Sequence, residues 1–240
     1  MALHGTFKQG KEQAAGLVDN PDKAWLDHFA RRGYVVIAPD HFTAGHRVPS
    51  EGPYETARFY AKHPEWTAVG KFTYEHSIAI DVLQSLPEVD PDKIGVLGHS
   101  LGGHNTLFVS AFDERIKVAV TSCGFTRFAK YYNGDLTGWT HKGYMPRIDA
   151  VYGKDPARMP FDFPDILASL APRYVFINAP TRDANFDVDG VKESVDAAKK
   201  IFAIHKTEEH IVAVHPDCEH DFPPEIREQA YAFIDKALKR

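Results

Sequence analysis

Cysteine is scarce in this chain of 240 residues: Cys123 and Cys218 could close at most one bridge. That excludes the disulfide framework of a small secreted scaffold and favours a reduced compartment. Long apolar runs are missing too, and none approaches the ~20 residues that a membrane span requires. The opening residues, MALHGTFKQGKEQ, lack the basic stretch followed by an apolar one that marks a signal peptide. Neither sign of charge is concentrated. The formal net charge of -5 is the balance of 28 basic and 33 acidic residues scattered along the chain, leaving no basic stripe for nucleic acid and no polyacidic tail. Internal repeats, linkers and low-complexity tracts are also absent. These exclusions predict a soluble, cytoplasmic protein whose partner is a small molecule rather than a nucleic acid or a membrane.

What is present has a rhythm. Short apolar runs rich in branched residues recur at Tyr34–Ala38, Ile94–Leu97, Val118–Thr121, Tyr174–Asn178 and His210–Val214. Their hydrophobicity is continuous rather than alternating, which suits strands covered on both faces. Between them lie helical patterns. One starts at Asn20-Pro21, buries Trp25 and Phe29 and stops at Gly33; others cover about 72–86, 101–111, 188–203 and 224–238. Strands alternating with such helices imply an α/β fold, a mostly parallel sheet with helices on both faces, and the length suits one domain over 1–240.

One connection breaks the rhythm. Between Thr121 and Tyr174 about fifty residues intervene, longer than an ordinary loop in a compact domain. The stretch is dense in aromatics, including Phe125, Phe128, Tyr131, Trp139, Tyr144 and Phe163, too many for disorder. A cap-like insertion over a pocket, about 125–170, is expected; packing of these aromatics on the sheet edge is the plainer alternative.

The stretch DKIGVLGHSLGGHNTLFVS, residues 92–110, contains Gly98-His99-Ser100-Leu101-Gly102. This G-x-S-x-G sits between a buried strand and a helix, the context that lifts a serine hydroxyl clear of the backbone. Ser100 is therefore the candidate nucleophile. It needs a base, and the base needs an acceptor that fixes its tautomer. In the order serine, acid, histidine, His220 fits the base, because it lies in a loop past the last strand and before the final helix. His205, His210 and His215 fit packing or solvated positions. The cluster His215, Cys218 and His220 offers metal-ligand types at short spacing, but no second cluster supplies the remaining ligands, so no metal is expected. For the acid, APTRDANFDVDG follows the Tyr174–Asn178 run. Asp183 is favoured, Asp187 is its rival, and Asp189 with its neighbours resembles a helix cap. Oxyanion donors are expected from the Leu101 N–H and from Thr6 and Phe7 after His4-Gly5. His99, Trp139 and Tyr144 are expected to line the substrate pocket.

With these residues in place, the sequence resembles the α/β-hydrolases, and more narrowly their acetyl xylan esterase and dienelactone hydrolase-like branch. The segments that carry the likeness are LHGT, GYVVIAPD, SLPEVDPDKIGVLGHSLGGHNTLF, SCGFTRF and PDCEHDFPPE, which span nearly the whole chain. The resemblance implies a triad of Ser100, Asp183 and His220, an oxyanion hole at Leu101 and the Gly5–Phe7 loop, and no metal or organic cofactor. It implies a serine esterase acting on small acyl esters of acetyl type. Lactone or dienelactone hydrolysis is the alternative within the enzyme class, and a non-catalytic binding protein on the same scaffold is the alternative outside it. In the family the sheet begins with strands ahead of the one ending in LHG, and here only Met1–Leu3 stand for them. That predicts an open sheet edge near Met1–Leu3 and Tyr34–Ala38, and with it either self-association into a homo-oligomer or further sequence upstream.

Overall fold

The computed structural model describes residues 1–239. Five strands form one sheet in the order β1-β2-β3-β4-β5, every neighbouring pair parallel: β1 (Ala2–Leu3), β2 (Ile94–His99), β3 (Ile116–Ser122), β4 (Tyr174–Asn178) and β5 (Ile211–Val214). Among the described residues nine α-helices accompany them: α1 (Lys11–Ala14), α2 (Trp25–Arg31), α3 (Ala57–Lys62), α4 (Ala68–Gln84), α5 (Leu101–Phe112), α6 (Arg147–Ala150), α7 (Phe163–Ser169), α8 (Val188–Ile204) and α9 (Pro224–Leu238).

The two-residue period of a strand divides the core. Val118 and Val120 of β3 and Phe176 of β4 face a cluster built with Trp25 and Phe29 of α2 and with Ile226, Tyr231 and Leu238 of α9. Ala119, Val175 and Ile177, one step along, face Phe72 of α4, Leu107 and Phe108 of α5, and Val191 and Phe202 of α8. Both faces are buried, which is why these runs read as continuously apolar. No helix among the described residues is long and apolar enough to cross a membrane.

Two expectations are corrected. Tyr34–Ala38 is not a ladder strand. Its neighbour β1 is only two residues long, and one bond, Ala2 N–H to Ile37 O at 2.9 Å, joins them. Tyr34, Val36 and Ala38 still pack on one cluster and Ile37 on another, so the apolar pattern reports burial without pairing. The helix expected from Asn20 is instead a 3₁₀ turn, Pro21–Lys23, followed by α2, and Gly33 at φ +86° turns the chain away as expected.

The segment between β3 and β4 folds into short turns and α6 and α7 rather than a loop. Phe125, Phe128, Tyr131, Trp139 and Phe163 are buried in one cluster with α5 and α8. Phe125 stacks on Phe163 at 5.0 Å, and Phe128 and Trp139 meet nearly perpendicular at 5.8 Å. Asp162 caps α7 and also accepts from the Phe128 N–H at 3.0 Å, tying the two ends of the segment together.

Candidate active site

The strand-to-helix turn forms where β2 runs into α5. Ser100 is held at φ +56°, a conformation that costs a residue with a side chain about 1–3 kcal/mol. Its N–H donates to Ser122 O at 2.8 Å, and its own carbonyl accepts from Gly103 and His104 at 2.8 and 3.2 Å. A Cβ at Gly98 would strike the backbone of Gly102, and one at Gly102 would strike Leu3 O. The two motif glycines thus let the turn, α5 and β1 approach to backbone contact, and the hydroxyl is left at the C-terminal end of the sheet.

His220 reaches Ser100 from the loop after β5, with Nε2 2.9 Å from Oγ. Its Nδ1 lies 2.9 and 2.8 Å from the two oxygens of Asp183, in the loop after β4. The carboxylate can only accept, so the ring proton belongs on Nδ1 and Nε2 is free to receive the serine proton. The Asp183 side chain is 1% exposed, and Oδ1 also accepts from the N–H groups of Asn185 and Phe186 at 2.8 and 3.2 Å. Asp187 goes elsewhere. It is the N-cap of α8, accepting from Gly190 N–H at 3.0 Å, while Asp189, expected as the cap, is an exposed partner of Lys192.

Behind this line lies a network that the sequence did not reveal. Asn178, the last residue of β4, donates from Nδ2 to Ser122 Oγ and to Asp221 O, both at 2.9 Å. The second bond tethers the loop that carries His220. His99 Nδ1 shares the same Ser122 hydroxyl at 2.9 Å. This corrects the pocket reading of His99: period-two alternation turns its ring to the far face, buried between Trp25 and His220, and it does not line the cavity.

Cys123, at φ +48°, places Sγ near Asp183 and His220, the three ligand atoms lying within 4.8 Å of one another. It is the one such metal-ligand grouping among the described residues. Burial, with the Asp183 charge beside it, pushes the thiol well above its ordinary range. A protonated thiol is a poor metal ligand, and it donates instead to Asp221 O at 3.3 Å. The cluster suggested by His215, Cys218 and His220 does not assemble, because the His215 ring bonds Ala179 O at 2.9 Å and His220 is engaged with Asp183.

Beside Ser100 opens a cavity of about 400 Å³, walled by Thr6, Tyr54, His104, Tyr131, Trp139, Tyr144 and Phe186. Of the residues expected at a pocket, Trp139 and Tyr144 are in this wall. Burial lifts the Tyr144 phenol to about 12, so it stays a neutral hydroxyl, 3.4 Å from Thr6 Oγ1. Burial drives the His104 ring down to about 3. Its Nδ1 faces Gly124 O at 3.2 Å and so carries the proton, and Nε2 is an acceptor without a protein partner among the described residues. His104 follows Ser100 by four positions on α5, a helical spacing that could have flagged it. Tyr54 and Phe186 had no such signal.

Of the expected oxyanion donors, the Leu101 and Thr6 N–H groups have no protein acceptor among the described residues. Phe7 is a correction: its N–H is already given to Gly5 O at 2.9 Å in a tight local turn.

Comparisons with known proteins agree on the setting. A family model described as glucuronyl esterase of fungi matches residues 34–205. The protein YtaP of Bacillus subtilis strain 168, named as a hydrolase, is 26% identical over 98% of this chain and 75% of its own length. The carbohydrate esterase MZ0003, from an unknown prokaryotic organism, is 25% identical over 58% of this chain and 33% of its own. Among solved structures, a glucuronoyl esterase of carbohydrate esterase family 15 from Caldicellulosiruptor kristjansonii superposes with a TM-score of 0.63 at 23% identity, covering 80% of this chain and 57% of that one. The shared architecture is the α/β-hydrolase fold of these esterases. The chain therefore spans three quarters of YtaP, a third of MZ0003 and somewhat over half of the solved esterase.

Proposed function

The chain belongs to the glucuronyl esterase family, a family of carboxylic-ester hydrolases, and from that premise we propose that it cleaves carbohydrate-linked carboxylic esters through a serine acyl-enzyme. One observation carries the mechanism: the unbroken hydrogen-bond line from Asp183 through His220 to Ser100 on a turn that exposes the hydroxyl.

In this reading His220 Nε2 takes the Ser100 proton as Oγ bonds to the ester carbonyl carbon. Asp183 keeps the Nδ1 proton in place and stabilises the imidazolium that forms. The carbonyl oxygen becomes an oxyanion facing the N–H groups of Leu101 and Thr6. His220 then passes its proton to the departing alcohol. Water, deprotonated by the same ring, attacks the acyl-serine, and the ring returns that proton to Ser100 Oγ as the acyl–oxygen bond breaks and the acid leaves.

A cavity of about 400 Å³ is far more than an acetyl group fills, and the aromatic wall carries Tyr54, Tyr144, Thr6 and the lone pair of His104. An acyl group bearing hydroxyls, such as a sugar acid, can use both the aromatic faces and the polar groups. In this reading the segment 125–170 is the cap that builds the wall. Acetyl esters would be accepted as smaller substrates, and lactones would test whether a cyclic ester also enters.

The test is a panel of methyl and benzyl esters of glucuronic acid, nitrophenyl acetate and simple lactones, run beside fluorophosphonate labelling. Wild type is expected to be labelled at Ser100 and to turn over the sugar-acid esters with the highest kcat/KM. Ser100→Ala is expected to lose labelling and about 10⁶ in kcat, the scale on which a serine triad fails as a unit. Undiminished turnover by Ser100→Ala would overturn the mechanism, and a preference for acetyl esters or lactones would overturn the substrate class.

A further inference from the structure

On the side of Ser100 away from His220, three buried histidines stand in line behind the loop that presents Thr6. His4, His41 and His76 are each 1% exposed and come from three separate parts of the chain. His4 directly follows β1, His41 lies in the loop before α3, and His76 is on α4.

Hydrogen-bond direction fixes where each proton sits. A backbone N–H can only donate, so the His41 N–H, 3.1 Å from His4 Nε2, makes that nitrogen an acceptor. The His4 proton must then be on Nδ1, which donates to Gly5 O at 2.6 Å. A carbonyl can only accept, so His41 Nε2, 2.7 Å from His4 O, carries the His41 proton. Its Nδ1 is left as a lone pair, and His76 Nε2 at 3.1 Å donates to it. The line ends at His76 Nδ1, an acceptor with no partner among the described residues.

Each bond is donated toward His4 and the loop after it: the His76 ring holds the His41 ring, the His41 ring holds the His4 carbonyl, the His41 N–H holds the His4 ring, and that ring holds the carbonyl of the Gly5–Thr6 peptide. In a trans peptide the C=O and the following N–H lie in one plane and point in opposite directions. A donor fixed on Gly5 O therefore fixes the Thr6 N–H on the other side of that plane. The Phe7 N–H reinforces the hold, since it donates to the same oxygen at 2.9 Å.

We propose that His76, His41 and His4 act as positioning residues, a chain of neutral imidazoles that locks the Gly5–Thr6 peptide so that the Thr6 N–H is preorganised for the oxyanion. The proposal rests on the ester-hydrolase reading above. Neutrality is part of the device: a proton added at His4 Nε2 or His41 Nδ1 would abolish an acceptor and break the line. Burial keeps the rings neutral, with His76 held down at about 3 and His41 well below its ordinary value. The groups facing them are the rings themselves, Phe72 against His41 at 5.3 Å, the Asp40 carboxylate 3.9 Å from His4, and, more distantly, Lys11 toward His4, Glu75 and Arg47 toward His76, and the His104 ring toward His41.

The experiment compares wild type, His76→Leu and His76→Gln on an ester and its thionoester, in which sulfur replaces the carbonyl oxygen. His76→Leu removes the first donor, and His76→Gln keeps an N–H that can reach His41. His76→Leu is expected to lower kcat on the ester by about 10- to 100-fold with KM unchanged, a fraction of what deleting an oxyanion donor outright costs. It is expected to lower the thionoester rate less, so that the ester-to-thionoester ratio shrinks, and Gln is expected to restore most of the ratio. A general loss of structure would depress both substrates alike; an unchanged ratio, or no rescue by Gln, overturns the proposal. Nitrogen NMR of the wild-type histidines gives a second test that needs no variant to fold: protons at His4 Nδ1, His41 Nε2 and His76 Nε2 support the line, and any other tautomer set overturns it. If turnover does not depend on Ser100 at all, the ester-hydrolase reading fails; Ser100-dependent turnover with an unchanged ratio sinks only the present inference.

Discussion

The two flanks of Ser100 are both built from histidine and do opposite things. On one, His220 is 28% exposed at its side chain and backed by the Asp183 carboxylate, so a proton arriving on the ring meets a negative partner. On the other, His4, His41 and His76 are buried and bonded to carbonyls, a backbone N–H and one another, with no carboxylate in hydrogen-bond contact. Burial disfavours charge on the second flank, even with Asp40 3.9 Å from His4. The same side chain is thus a proton shuttle or a rigid strut according to its partner and its access to water, and neither property is written in the residue type.

The sharpest way to break the contrast is to remove the carboxylate. Asp183→Asn leaves an isosteric group that can offer His220 Nδ1 a donor, stranding the proton on the wrong nitrogen; kcat is expected to fall by about 10⁴-fold with the fold intact. Steady-state kinetics with a circular-dichroism melt would check it, and a loss below tenfold would make His220 independent of its acid.

Next in size is the wall of the cavity beside Ser100. Trp139 is buried against His104 at 4.9 Å and Phe128 at 5.8 Å. Trp139→Ala is expected to cost about 3–5 kcal/mol of stability as a cavity opens. The same space should shift the acyl preference toward bulkier esters. Urea unfolding and an acyl-size series measure the two effects, and an unchanged series would reduce Trp139 to a packing residue.

The neutral flank makes a claim about pH. An unfolded histidine takes up its proton near 6.5, whereas folded His76 and His104 do so only at about 3. Between those values the unfolded chain binds more protons, so stability falls as pH falls through the window, by about 1.4 kcal/mol per pH unit for each such ring. Above 6.5 these rings add no pH dependence. His76→Leu should flatten the acid limb of unfolding free energy against pH by one proton's worth, and equal slopes would mean that the ring protonates in the folded protein.

The smallest effect isolates the rival acid. Asp187→Ala removes the N-cap of α8, which is expected to cost about 1 kcal/mol and to leave kcat nearly unchanged. A large kcat loss would show that Asp187 holds the Asp183 loop as well as the helix.

Local signals made much of this legible. Continuous apolar runs marked β2 to β5, because a strand covered on both faces must be apolar on both. Ser100 was found because its turn is built from its immediate neighbours, and His220 because chain order places it after the last strand. The sequence by itself therefore determined the α/β alternation and singled out Ser100 and His220, the pair proposed as nucleophile and base. Tertiary structure decided the remainder. Asp183, Asp187 and Asp189 are chemically alike within one loop, and only the packing of β4 beside β5 shows which carboxylate meets a ring 37 residues away. The face of the sheet that receives His99, the N–H that Phe7 gives to its own turn, and the single bond joining Ile37 to β1 are facts of register and distance rather than composition. So is the line of His4, His41 and His76: three histidines dispersed over seventy-odd residues carry no pattern, and they become a device only when β1, the 40s loop and α4 are folded against one another, because a hydrogen bond acts over about 3 Å of space and takes no account of distance along the chain.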